Sequence, residues 1–224
     1  MKINTPVLLS LNAGYVDTAG FLALQGLFTA HVTGNFVTMG AAAVQGTSGL
    51  VAKLLALPVF CAVVMVSRLI SMTLERRGLL PMRALLSAQF ALLSAAAMLA
   101  VVLGPFRNAD QLAAVATGMV LVAAMAVQNA ISKMHLGAAP PTTLMTGTAT
   151  QVMIDLADLS LGLDDSARQS VLARISRSSL NLGGFAVGCA AGALCWHCAA
   201  CWCFALPPAI AMIALFAEPS PSSP

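Results

Sequence analysis

The hydrophobic positions of this chain run in long continuous blocks, broken at intervals by short stretches rich in glycine and polar residues. A helix that crosses a bilayer needs about 20 apolar residues. The blocks at 6–28, 54–74, 82–103 and 112–131 meet that length. The last block, 180–217, would make a helix roughly 57 Å long at 1.5 Å per residue. It must therefore fold back into two spans, and the flanking Trp196 and Trp202 place the turn near 197–200, as tryptophans do at membrane interfaces. Six spans result. Two further segments, 32–44 and 142–159, fit a span, a re-entrant helix or a surface helix equally well. Between 164 and 177, Asp164-Asp165-Ser166 reads as a helix start. The helix it opens groups Val171, Leu172 and Ile175 away from Arg174 and Arg177, the pattern of an interfacial helix beside anionic lipid.

Composition narrows the class. The chain is 59% hydrophobic and only 8% charged over 224 residues, whereas soluble domains carry roughly 25% charged residues. A membrane β-barrel would alternate apolar and polar residues in short segments, and these blocks do not. The expected fold is all-α: a polytopic bundle forming one transmembrane domain over 1–217, followed by a Pro- and Ser-rich disordered tail at 218–224. The N-terminal block reads as a retained span rather than a cleaved signal, because no clear small-residue cleavage site follows it.

Charge placement then sets the topology. With six spans, one side holds Lys2, Arg76, Arg77, Arg83, Lys133, Arg168, Arg174 and Arg177. The other holds Lys53 and Arg107, and Arg68 snorkels from within its span. The positive-inside bias puts both termini in the cytoplasm. Were 32–44 and 142–159 both to span, the Arg76, Arg77 and Arg83 cluster would move outside, so both are expected to be only partly inserted.

The two halves, 6–105 and 111–217, share an order of elements: a polar-marked span, a Thr-Gly segment, a span rich in small residues, a plain apolar span. Three spans per half is odd, so the halves must be inverted. That is the layout of many secondary transporters. The stretch GYVDTAGFLALQGLFTAHVTGNFV at 14–37, with VQNAISKM at 127–134 and PTTLMTGTATQVMIDLADL at 141–159, resembles the YoaK-like family of bacterial membrane proteins, a domain of unknown function. The resemblance runs over 8–216. It implies a bacterial inner-membrane protein of several helices and implies no activity. The sequence departs from that family's pattern at Thr148, where Asn is common.

The chemistry concentrates in 14–40. Asp17 is ionisable within a membrane segment, which is costly and points to a bundle interior or a water-filled cavity. It reads either as a proton- or cation-coupling carboxylate or as a buried acid bonded to backbone freed by the glycines. If the first span is helical throughout, Gly14, Asp17, Phe21, Gln25 and Phe28 share a face. His31, Thr33 and Asn35 follow, and Thr and Asn also make good helix N-caps. Gln128, Asn129, Thr146 and Thr148 are the second half's echo. The residues Asp17, Gln25, His31, Thr33, Asn35, Gln128, Asn129, Thr146 and Thr148 are thus the candidate solute-binding set, with a central polar site drawn from both halves. Thr148, Gln151, Asp155 and Asp158 share a helical face, read as a cytoplasmic entrance lining or a solvated surface.

Cys195, His197, Cys198, Cys201 and Cys203 have spacings that suit zinc or redox pairs. Their interleaving with Ala and Trp instead suggests cysteines packed as small apolar side chains, so neither metal nor cofactor is expected. No Ser/His/Asp order, HExxH, Walker loop or GxGxxG is present, and no nucleic-acid patch. The expected protein is therefore not an enzyme. It partners the lipid bilayer, a small solute or ion, and as a further candidate a second copy of itself. Transport of a small solute or ion, with proton coupling as one form of it, is the leading expectation, beside a non-transport alternative as structural partner, sensor or small intramembrane enzyme. Reporter fusions after Arg77, after Arg107 and at the C-terminus should read inside, outside and inside; an outside C-terminus would sink the six-span topology.

Overall fold

The computed structural model describes residues 4–137, 139–143 and 145–217. The tail expected at 218–224, and Lys2, lie outside the described residues. Within them the chain is eight α-helices and two 3-10 segments, with no strand. Four helical stretches are long and apolar enough to cross a membrane: Leu50–Arg76, Pro81–Leu103, Leu112–His135 and Asp165–Phe216. Their outward faces carry exposed Leu54, Met65, Leu69, Met98, Val102 and Leu194, the side chains that hydrocarbon would solvate.

Helix α1 (Thr5–Ala23) opens with Pro6 in its first turn. It stops short of the expected 28. The Leu24 amide closes on Gly20, the Gly26 amide on Phe21, and Gln25 and Gly26 both take positive φ. Gln25 and Phe28 therefore leave the helical face they were expected to share with Asp17. A 3-10 turn at Val32–Gly34 leads into α2 (Asn35–Gln45), ended by the left-handed Gly46. At 11 residues α2 is roughly 16 Å long, too short to cross. Helix α3 (Leu50–Arg76) carries Pro58 without ending there. Its first amides are bound from a distant loop: the Asp110 carboxylate accepts from Gly49 N–H at 2.8 Å and Val51 N–H at 3.2 Å.

Helices α4 (Pro81–Leu103) and α5 (Leu112–His135) are plain spans. Helix α6 (Met145–Ser160) is the second short element. Next comes α7 (Asp165–Ala199), a single 35-residue helix. This corrects the expectation of an interfacial helix followed by a separate span. No glycine or proline lies between Asp165 and Leu180, so nothing stops the first segment from propagating into the second. The helix breaks at Ala200, with φ +45, passes through a 3-10 segment (Ala200–Ala205) and continues as α8 (Leu206–Phe216). The chain reverses there. Cys201 lies against Gly104 at the end of α4, whereas Leu215 and Ala217 lie beside Leu80, Pro81 and Arg83 at its start.

Helix α1 is the least lipid-like long helix and the most enclosed. Leu9, Ala13, Val16 and Ala19 are buried together with Asn12 and Asp17. Its most extensive neighbour is α7. The two run parallel at backbone contact distance because glycines line the seam. A Cβ at Gly14 would collide with the Phe185 carbonyl, one at Gly188 with the Leu11 carbonyl, and one at Gly192 with the Tyr15 backbone. Across the bundle α5 packs on α3 and α4. Gly188→Ala should push α1 and α7 apart and cost about 1–3 kcal/mol, as overpacking does. Gly183→Ala meets nothing within 4 Å and should be neutral or gain up to about 1 kcal/mol from helix propensity. Thermal melting of the purified variants checks the contrast, and equal losses would count against the seam.

Candidate functional site

The end of α1 folds back on itself around one carboxylate. Asp17 Oδ1 accepts from the Thr29 amide at 2.7 Å, the Ala30 amide at 2.8 Å and the Thr29 hydroxyl at 3.3 Å. Its Oδ2 lies 2.7 Å from His31 Nδ1. A carboxylate only accepts, so the Nδ1–H donates and Nε2 is the ring nitrogen left over. Asp17's side chain is 5% exposed and His31's 31%; the imidazole, not the acid, meets the space beyond.

That space is a recess of about 610 Å³ lined by Asp17, Thr18, Phe21, Phe28, His31, Thr33, Gly34, Phe185 and Cys189, within the roughly 300–1,000 Å³ range of small-molecule sites. Its walls are aromatic. The Phe21 and Phe28 ring centroids are 4.9 Å apart, and Phe185 meets His31 edge-on at 5.4 Å. Phe185 and Cys189 come from α7, so the recess exists only because α7 lies against α1.

The other candidates disperse. Thr33 lines the recess. Asn35 does not open into it: its amide group donates to the Phe28 carbonyl and accepts the Phe28 amide, both at 2.8 Å. It fastens the return loop to the start of α2. Gln25 points to another loop cluster, donating to the Arg107 carbonyl at 3.0 Å and bonding the Ser48 hydroxyl.

Gln128 and Asn129 do for α5 what Asp17 does for α1. Gln128 donates to the Leu9 carbonyl at 2.8 Å and to the Thr142 hydroxyl at 3.3 Å, and accepts from Gln89 at 2.7 Å. Asn129 donates to Thr143 at 2.7 Å. Thr142 also bonds Ser132 at 2.7 Å. These groups bond one another, the Gln89 Oε1 alone among them staying buried without a partner, and none of them lines the Asp17 recess. Asp17, Gln25, Asn35, Gln128 and Asn129, expected to contribute to one central polar site, thus do not converge on one. Thr146 is exposed, and its carbonyl accepts the Thr150 hydroxyl at 3.0 Å. Thr148 is buried and lines a second recess, of about 440 Å³, between α6 and α7.

Sequence reasoning missed Gln89 and the pair Asp155–Arg174. Gln89 sits alone in an apolar run and had only that oddity to flag it. Asp155 is fully buried and gripped by Arg174 at 2.7 Å from Nε and 2.6 Å from Nη2, with Gln151 adding a third donor at 2.8 Å. Of the α6 face expected to be an entrance lining or a solvated surface, Asp155 is docked on α7, whereas Thr148 and the exposed Gln151 line the second recess. Cys201 and Cys203 are buried, Cys195 half-buried and Cys198 exposed, and the Cys203 carbonyl accepts the Tyr15 hydroxyl at 2.8 Å.

The Arg174 hydrogen bonds hold the Asp155 carboxyl below the usual carboxylate range, with burial opposing. A depressed folded pKa stabilises fully above the unfolded value of about 3.9 and loses that contribution as pH falls through the folded value. Asp155→Asn should therefore lower Tm by roughly 2–6 °C at pH 7. The gap between wild type and variant should close only below about pH 4. A gap that stays constant down to pH 3 would show that the charge on Asp155 is idle.

No curated protein and no solved structure matches the chain. A family match covers residues 5–217, described as protein of unknown function, DUF1275. The YoaK-like resemblance read from 14–37 agrees with it, and with nearly the whole length matched, the chain belongs to this family of proteins of unknown function.

Proposed function

We propose that the protein carries a small solute or ion across the bacterial inner membrane, coupled to protons through His31 and Asp17. The observation that carries this reading is the recess of about 610 Å³ with a buried carboxylate–imidazole pair at its wall. An ionisable pair at membrane depth is costly to keep unless it acts. Asp17 occupies Nδ1 of the imidazole, which leaves Nε2 as the ring nitrogen available on a residue that lines the space a solute would occupy.

The packing supports an inverted repeat of two halves. α1 packs on α7 and α5 on α3; α2 packs on α3 and α6 on α7. Exchanging α1 with α5, α2 with α6 and α3 with α7 turns each of these contacts into another. On this reading α1, α3, α4, α5, α7 and the segment 200–216 are the six crossings, α2 and α6 are partly inserted, and both termini are cytoplasmic. No catalytic step is assigned to any residue. One observation favours the non-transport alternative: Gln128 bonds both Gln89 and Thr142, and none of the three lines either recess described above, as in a bundle that merely locks its helices together.

Proton flux into dye-loaded proteoliposomes, driven by a pH step in the presence of a bacterial small-metabolite extract, separates the two. Asp17→Asn and His31→Gln should each cut flux at least about tenfold, the scale of general acid–base contributions, at near-normal membrane abundance. Asp17→Leu should instead lower abundance, because it strands the Thr29 and Ala30 amides at about 1–3 kcal/mol each. Flux unchanged in Asp17→Asn and His31→Gln would defeat the coupling role.

A further inference from the structure

The second recess, between α6 and α7, has a chemistry of its own. It is lined by Ala139, Pro140, Pro141, Gly147, Thr148, Gln151, Arg174, Arg177 and Ser178. Three features converge on it. Ser178 is 3% exposed as a residue and lines the recess; its hydroxyl makes no hydrogen bond among the described residues, which leaves it open to the recess. Arg177 spends only Nε, on the Ala173 carbonyl at 3.3 Å, which leaves both terminal nitrogens of its guanidinium open. Gly147 lies in the first turn of the 16-residue α6, where amides have no intrahelical acceptor and the helix dipole is positive.

The nearby acids do not cancel this. Asp155 is committed to Arg174 and Gln151, and Asp158 acts on Arg174 rather than lining the recess. Pro140 and Pro141 supply an apolar wall. The location fits as well. α7 is roughly 52 Å long at 1.5 Å per residue, well beyond a hydrocarbon core of about 30 Å. Its continuous apolar sequence begins only near Leu180, so Arg174, Arg177 and Ser178 lie where headgroups would lie.

We propose that this recess binds a phosphate oxyanion, with Arg177 and the Ser178 hydroxyl as its direct ligands and the α6 N-terminus behind it. Two sources share that chemistry, the phosphodiester of an anionic phospholipid and free inorganic phosphate. A charge-assisted guanidinium–phosphate contact contributes about 1.5–3 kcal/mol, so loss of Arg177 should weaken binding by about tenfold or more.

The test uses the full-length protein in neutral detergent, with thermal stability followed against added phosphatidylglycerol, phosphatidylcholine or inorganic phosphate. Phosphatidylglycerol should raise Tm in a saturable way, phosphatidylcholine less, and half-maximal concentrations should rise about tenfold in Arg177→Gln and severalfold in Ser178→Ala. Arg177 is exposed and makes no side-chain pair, so Arg177→Gln should fold normally; the ligand-free Tm verifies it. Equal protection by inorganic phosphate, lost in the same variants, supports the site with free phosphate as the source. Protection by neither, or protection that Arg177→Gln and Ser178→Ala both leave unchanged, overturns it. Proton flux through the Asp17 recess does not enter the readout, so the two proposals fail independently.

Discussion

A buried carboxylate holding two backbone amides is the constraint on which the rest of this structure depends. Asp17 sits in the helix most enclosed by the bundle, and it is the acceptor for the amides of the buried Thr29 and Ala30. Non-helical backbone inside a bilayer survives only where protein satisfies it. By drawing 29–30 back, Asp17 ends α1 at Ala23, sets His31 beside its own Oδ2 and positions the 3-10 turn from which α2 departs. Asn35 completes the clamp from the far side through Phe28. The recess is the space left inside that clamp once Phe185 and Cys189 of α7 cover it.

The glycine seam makes the cover possible. Gly14, Gly188 and Gly192 remove side chains from the α1–α7 contact until backbone meets backbone. In lipid, hydrophobicity does not distinguish helix–helix from helix–lipid contact, so close approach of small residues is what holds two spans together. The same seam fixes the register of Phe185 against His31. Stability and site geometry therefore share one cause, and a change that loosens the seam moves the recess wall.

The second half repeats the logic with neutral groups. Gln128 and Asn129 tie Thr142 and Thr143 to α5 as Asp17 ties Thr29 and Ala30 to α1. Side-chain amides meet hydroxyls there, where a carboxylate meets backbone amides at Asp17. The charge of the second half lies instead at the α6–α7 edge, where Asp155 and Arg174 join the two helices. This division leaves the Asp17–His31 pair beside one recess and the Asp155–Arg174 pair beside the other.

Much of the architecture was legible in the sequence. Continuous apolar blocks require a helical membrane protein, and their lengths locate α3, α4 and α5 within a few residues, because transfer of apolar side chains is a local, additive property. The need for a reversal followed from the length of the 38-residue block 180–217, and its place near 197–200 from the flanking Trp196 and Trp202. An acid amid apolar sequence already argued for an enclosed position, and Asp17 is buried. The tertiary structure decided what local pattern cannot carry. The stop at Ala23 depends on a carboxylate recruiting amides twelve and thirteen residues away. The Asp155–Arg174 pair joins residues nineteen apart across a turn, and Gln89 finds Gln128 thirty-nine residues away. Periodicity reports which residues leave water; which partner a buried polar group then finds is set by remote segments brought into contact, and only the folded bundle determines it.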